Sequence, residues 1–476
     1  MGFEQFFAFF VFVVVARLLQ PSDIGLFALA MILAELARVF AVSGFSDAVT
    51  KSEPSLEEET SRAAFWGNMS MSVVCAVLVS VIAWPLAKAL NMERLGPVLM
   101  ALAWSIPLSA VGAIHMARQL RRFGHKAQAI RSLLSGIIGG GAAVFAAYHG
   151  FGVWSLVVQR FVTDAISVAT AWHAFRWIPR LPASAKEIWA LLPFSLQMSS
   201  SKLITAFTSN IQDLAIGGGA GSAAVGMYRL ARRTNDMMIK ATISPLSTVA
   251  VNIFVSLRDE PDKFRSAFTR LLSVSAALTF PAFFGMAAVA DPLIPLVFGE
   301  QWQDAVPIVQ ALAPICVPMV ISLYVIPLLT AFGRSSKATE MTTIQLVAAI
   351  GASALTAPFG VIAVVGGFLF RTYALIPYQL SITRFHTGLN NATLSLIILK
   401  PLFCSIVMAA ICYTTMIFLP AAMADLLKVA IVAAEGGLIY TAMIFVFDRQ
   451  VITWAISLVS SRVKIPQLRK LREIQK

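Results

Sequence analysis

Charge is what this sequence has least of. Only 13% of its 476 residues are Asp, Glu, Lys or Arg, roughly half the share in a water-soluble domain. That is too little to cover a surface facing water. Cysteine is scarce too: Cys75, Cys316, Cys404 and Cys412 lie in apolar runs without CxxC spacing. A disulfide framework or zinc ribbon is thereby excluded, and the four read as small buried hydrophobes. The five histidines are scattered and form no ligand cluster. Walker and nucleophile-elbow motifs are absent as well. The chain reads as a non-enzyme without a cofactor.

What the sequence has in abundance is apolar length. Runs of about 20 residues, enough to cross a hydrocarbon core of about 30 Å, recur from end to end, and no soluble domain fits between them. They resolve into about fourteen spans, the first at 2–19 and the last at 424–447. The fold expected is an all-α polytopic membrane protein. The first run is short and lacks preceding polar residues, so the start given is expected to lie inside the true first helix.

The formal charge of +13 suggests nucleic acid until its positions are mapped. Loops after even-numbered spans, together with the C-terminal tail, hold 23 of the 37 Lys and Arg. The opposite loops hold Arg17, Lys88 and Arg94. Lys/Arg excess marks the cytoplasmic side. A bacterial inner-membrane protein with both termini in the cytoplasm follows, and nucleic acid is excluded as a partner. The acidic run Glu57-Glu58-Glu59 falls in a cytoplasmic loop and reads as solvated.

The chain also repeats itself at an offset of 201 to 210 residues. Asp23–Ala30 aligns with Ala224–Ala231, Arg62–Phe65 with Arg265–Phe268, and Ala101–Ala103 with Ala311–Ala313. Further on, Phe123-Gly124 aligns with Phe332-Gly333 and Phe151-Gly152-Val153 with Phe359-Gly360-Val361. Each repeat holds six spans, so both enter from the same side and a pseudo-twofold axis runs along the membrane normal. The expected organisation is an N-lobe at 1–175 and a linker at 176–190. A C-lobe follows at 191–385, then two extra spans at 395–447 and a basic tail at 448–476.

Eleven Lys and Arg fall inside spans. Arg131, Lys202, Arg270 and Lys428 are within snorkelling reach of a helix end. The other seven are Arg38, Arg160, Arg229, Arg232, Arg233, Lys240 and Arg371. Facing lipid, they would cost on the order of 20 kcal/mol together, so they are candidates to line a cationic cavity. Arg229, Arg232, Arg233, Asp236 and Lys240 follow i, i+3, i+4, i+7 and i+11, one face of a helix. Glu35 and Arg38 share the second span, Arg160 and Asp164 the sixth. Lys202, Ser209 and Asp213 share the seventh, where hydroxyls and amides would suit sugar.

Glu35 falls on Asp236 at the repeat offset. Glu35, Asp164, Asp213 and Asp236 either neutralise neighbouring arginines or bind the H+ or Na+ that powers a cycle. A net-cationic lining calls for an anionic cargo, and Arg matches phosphate with a bidentate fork. Prolines at 245, 281, 307, 314, 318 and 327 are expected to interrupt spans 8 to 10, as hinges or simply as membrane-helix prolines.

Several words in the sequence are more specific. They are Ala16-Arg17-Leu18-Leu19-Gln20-Pro21-Ser22-Asp23-Ile24-Gly25-Leu26, Phe151-Gly152-Val153-Trp154-Ser155-Leu156-Val157, Phe264-Arg265, and Phe298-Gly299-Glu300-Gln301-Trp302-Gln303-Asp304-Ala305. By these words the chain resembles, over nearly its whole length, the polysaccharide transporter family (Wzx-type flippases) of the multidrug/oligosaccharidyl-lipid/polysaccharide exporter superfamily. The resemblance implies a cargo of undecaprenyl-pyrophosphate-linked oligosaccharide for O-antigen or exopolysaccharide assembly. It implies alternating V-shapes around a cationic cavity, membrane lipids as surroundings, and a polysaccharide polymerase and chain-length regulator as partners. By analogy with the lipid II flippase branch, the last two spans form a groove for the lipid tail. Two competing readings are a cation-coupled multidrug exporter, which predicts an acid-dominated cavity, and a membrane polymerase or ligase. The second needs a long external loop, and the longest here, 291–302, is short and carries no base.

Overall fold

The computed structural model describes residues 2–53, 56–121, 124–179, 183–420, 422–450 and 454. Among them there is no strand. Ten helices are long and apolar enough to cross a membrane, and Phe6–Leu18 is a shorter apolar one. The protein is a multi-pass membrane protein. Arg122, Arg180 and most of the basic tail, 451–453 and 455–476, lie outside the described residues.

The helices of the first compact unit are α1 (Gly2–Leu18), α2 (Pro21–Lys51), α3 (Glu57–Ala89), α4 (Leu95–Arg121), α5 (His125–Tyr148) and α6 (Val153–Ala174). The helical run Ala185–Thr242 breaks at Gly221, whose φ of 84° and ψ of 178° no helix contains. It is therefore two helices, α7 (185–220) and α8 (222–242). This unit comprises Met1–Leu230, Val297–Trp302 and Ala349–Val364. Within it α6 packs on α4 and α5, and α3 on α4.

The second unit comprises Ala231–Leu296, Gln303–Ala348 and Val365–Lys476. Its helices are the rest of α8, α9 (Ser244–Leu257), α10 (Pro261–Ala288), most of α11 (Ala290–Phe298) and α12 (Glu300–Ala331), the first part of α13 (Ser335–Thr356), the greater part of α14 (Val361–Thr387), α15 (Asn391–Phe418) and α16 (Asp425–Phe447). Phe254, Phe264, Phe268 and Tyr324 form its centre, with ring centroids 5.3 to 6.1 Å apart. The buried Tyr324 hydroxyl shares a 2.6 Å hydrogen bond with Ser275, as a phenol away from water requires.

Local differences from the sequence reading have physical causes. Pro281 and Pro327 sit inside unbroken helices, since a membrane helix can re-satisfy the freed carbonyl. Pro307 and Pro314 instead start helical turns, where a missing N–H costs nothing. The stretch read as an external loop at 291–302 is mostly helix, Ala290–Phe298, followed by the tighter turn Glu300–Ala305.

The acidic run is not simply solvated. Glu57 and Glu58 accept from Arg118 at 3.1 and 3.0 Å, and Trp177 Nε1 donates to Glu58 at 2.7 Å. The Arg118 guanidinium also lies 4.8 Å from the Trp177 ring. These partners are about 60 residues apart in the chain or more, so periodicity could not reveal them.

Candidate functional site

Helices α6, α7 and α8 are not among the ten apolar spans, because they hold most of the interior charges and amides. Two ionic clusters form within the first unit.

The first joins α2, α4 and α6. Asp164 Oδ2 accepts from Arg160 Nε at 2.9 Å, one turn back on its own helix, and from Arg38 at 3.4 Å. Arg38 also donates to Ser105 Oγ at 2.9 Å, and that hydroxyl donates to the Leu102 carbonyl. Glu35 closes the ring, its carboxylate 3.5 Å from Arg38 and 3.9 Å from Arg160. Two cations and two anions thus neutralise one another. Arg38 and Asp164 are deeply covered, whereas the Glu35 side chain is 41% exposed, so the ring opens on the Glu35 side.

Just past Arg38 the helix widens into one π turn, Val39–Ser43, a feature frequent at functional sites. Beyond it, Gly44 lies so close to α7 that a Cβ would strike the Ser195 backbone. Its N–H donates to Ser199 Oγ at 3.1 Å.

The second cluster follows from the Gly221 break. Residues 213 and 229 each lie eight positions from it, and folding the chain back brings them together. Arg229 Nε donates to Asp213 at 2.9 Å and its Nη2 to Asn210 Oδ1 at 3.2 Å. The Asp213 side chain is 0% exposed. A carboxylate with no water contact requires such a partner.

The remaining candidates fall in the second unit. Arg232, Arg233 and Asp236 are half-buried on α8 and Lys240 is exposed, while Met238 and Ile239 on the other face pack into the aromatic core. Asp236 has no ion pair among the described residues. Arg371 on α14 donates to the Gln345 carbonyl at 3.0 Å and lies 5.0 Å from the Phe368 ring.

The four bases read as snorkelling all have partners. Lys202 pairs with Asp47 at 2.6 Å, Lys428 with Asp425 at 3.0 Å, Arg131 with Ser167 at 2.6 Å, and Arg270 with the Trp454 carbonyl at 3.3 Å. Ser105 and Asp47, which bind two of the eleven interior bases, escaped the sequence reading. An apolar run containing one serine or aspartate carries no signal of a partner on another helix.

The specific words of the sequence also meet. Trp302 is fully buried and its Nε1 donates to the Ala16 carbonyl at 2.9 Å. Gln301 Nε2 reaches the same carbonyl at 3.1 Å, and Arg17 Nε donates to the Val297 carbonyl at 2.7 Å. The Phe298 ring packs edge-on to Phe9 and Phe12.

The model of the family described as polysaccharide biosynthesis protein matches residues 14–307, a stretch that contains both ends of the Ala16–Trp302 contact. The succinoglycan biosynthesis transport protein ExoT of Rhizobium meliloti is 25% identical over 94% of this chain and 91% of its own length. The lipopolysaccharide biosynthesis protein WzxC of Escherichia coli is 23% identical over 63% of this chain and 61% of its own. Among solved structures, the lipid II flippase MurJ in an inward closed conformation superposes with a TM-score of 0.75 at 14% identity, covering 95% of this chain and 98% of that one. An inward-facing multidrug resistance transporter of the MATE family gives 0.57 at 15% identity over 80% of this chain and 95% of its own. These two likenesses show the fold. Since the family model spans well over half of its residues, this chain belongs to the polysaccharide biosynthesis protein family and has the fold of the MOP superfamily exporters.

Proposed function

We propose that this protein moves a polyprenyl-pyrophosphate-linked oligosaccharide, the undecaprenyl-linked repeat unit of an exopolysaccharide or O-antigen, from the inner to the outer leaflet. The observation that carries the reading is the set of covered charges on α2, α6, α7 and α8 in a chain whose relative ExoT is named a transport protein of succinoglycan biosynthesis. The seven candidate cavity bases against the four candidate acids leave an excess of three positive charges, which favours a phosphate-bearing headgroup over a cationic drug. In this reading fourteen crossings result from adding Phe6–Leu18, α6, α7 and α8–α9 to the ten apolar helices. The crossings form two six-helix lobes about a pseudo-twofold axis plus the pair α15 and α16. Both termini face the cytoplasm from the inner membrane, and the lobes rock between inward- and outward-open states.

Glu35, Asp164 and Asp213 are each held by arginine. Asp236, with no ion pair among the described residues, is therefore our first choice for H+ or Na+ coupling. A polysaccharide polymerase and a chain-length regulator would act on the delivered unit.

The test is translocation of a lipid-linked oligosaccharide in proteoliposomes. Arg232→Ala with Arg233→Ala, leaving Arg229 on Asp213, is expected to lower the rate at least tenfold. An unchanged rate would overturn the cavity assignment.

A further inference from the structure

A cavity lies apart from these clusters. About 1390 Å³ opens within the first unit between the end of α3, the start of α4 and the first turn of α2. Its wall is apolar, with Leu26, Trp84, Met92 and Pro97, and its lip carries Lys88, Glu93 and Arg94. By the charge pattern of the loops this is the outer side, where Arg17, Lys88 and Arg94 are the only bases.

The two lip cations differ. Arg94 is tied at 3.1 Å to the buried Asp23. Lys88 is exposed and makes no ion pair among the described residues. The lip is rigid as well: Met92 N–H returns to the Ala87 carbonyl at 2.8 Å and Asn91 N–H to Lys88 at 3.1 Å. Asn91 takes the left-handed conformation, φ 52°. This is the paired-bond ending of a helix, in which Asn is well tolerated.

Lys88, Arg94, Glu93 and Asp23 sum to zero charge, so the site does not concentrate small anions. A ligand held here must combine one phosphate contact at Lys88 with an apolar body for the Trp84 and Met92 wall. We infer that this cavity binds the polyprenyl phosphate end of the cargo lipid on the outer face, with Lys88 meeting the phosphate and Trp84 the first isoprene units. The inference rests on the flippase reading for its ligand, not for its geometry.

A diazirine-bearing undecaprenyl pyrophosphate, added to the protein in phosphatidylcholine nanodiscs, tests it. Illumination is expected to label the peptide spanning 84–97. Labelling should fall at least fivefold in Lys88→Ala and stay within twofold of wild type in Lys88→Arg. Unlabelled undecaprenyl pyrophosphate should compete, and phosphatidylglycerol should not. Equal labelling of Lys88→Ala, or equal competition by phosphatidylglycerol, which would mark an ordinary phospholipid site, overturns the inference. Transport measured on the same preparations separates the two readings. Transport without labelling of 84–97 rejects this site alone, whereas specific labelling without transport rejects the flippase reading alone.

Discussion

Gly25 and Gly226 approach so closely that a Cβ on either would strike the other helix. On Gly25 it would meet the Ser222 carbonyl, and on Gly226 the Pro21 carbonyl. Both pairs, Pro21 with Ser222 and Gly25 with Gly226, are 201 apart, the offset of the internal repeat. The crossing of α2 and α8 is thus locally twofold, and only residues without a side chain allow it. Gly25→Ala and Gly226→Ala are each expected to destabilise by about 1–3 kcal/mol through overpacking. Once one helix has been pushed away the second methyl meets open space, so the double variant should cost less than the sum. Thermal unfolding of the detergent-solubilised protein measures both.

The Asp213–Arg229 pair makes a sharper thermodynamic prediction. Removing one partner breaks a pair whose carboxylate is fully buried, and breaking a buried pair costs about 3–5 kcal/mol. Asp213→Ala and Arg229→Ala are each expected to lower the melting temperature strongly. Asp213→Ala combined with Arg229→Ala should recover a large part of that loss. A double variant as unstable as the sum would mean that the two groups do not interact.

For the ring of Arg38, Asp164, Arg160 and Glu35, the asymmetry of exposure decides the expectation. Asp164→Asn removes the anion that both arginines share and should lower lipid-linked oligosaccharide transport at least tenfold. Glu35→Gln, at the open edge, should change it less than threefold, since a half-exposed ion pair contributes only about 0–1 kcal/mol. Initial rates in proteoliposomes at matched protein density give the comparison.

Trp302 offers a test independent of transport. Trp302→Phe keeps an aromatic ring, though a smaller one, and loses the bond to Ala16, at about 1 kcal/mol. Trp302→Ala also empties a fully buried site and should cost about 3–5 kcal/mol. Limited proteolysis ranks the two.

Asp236→Asn is expected to abolish the dependence of transport on an imposed pH or Na+ gradient while leaving downhill exchange. Gradient-jump experiments in proteoliposomes read this directly. Dependence that survives in Asp236→Asn but disappears in Glu35→Gln would move the coupling role to α2.

The class of fold was legible because membrane burial writes itself along the chain: long apolar runs need no partner to be recognised. The matched words of the internal repeat differ in what they say about backbone geometry. Gly152 and Gly360, matched in the sequence, both take positive φ, 53° and 88°, and each opens a helix. Gly124 and Gly333, equally matched, do not share a conformation, since only Gly333 has positive φ. Short words therefore fix identity better than geometry.

The candidate site was legible residue by residue but not as an arrangement. Arg160 with Asp164 follows from helical spacing alone. Arg38 on Asp164, 126 positions away, depends on how α2 lies on α6. Helix 8 read as one cationic stripe because spacing is all a sequence shows. In the structure Arg229 pairs with Asp213 within the first unit, and Arg232, Arg233 and Asp236 belong to the second.

The turn at Gly221 makes the α7–α8 hairpin a measuring device. Asp213 and Arg229 stand at equal contour length from the turn, so one residue inserted into either arm rotates its charge by about 100° and takes it off register. Paired insertions, one on each arm, would restore the match. Natural variation in hairpin length is then expected to come in compensated pairs, or to be accompanied by loss of both charges together.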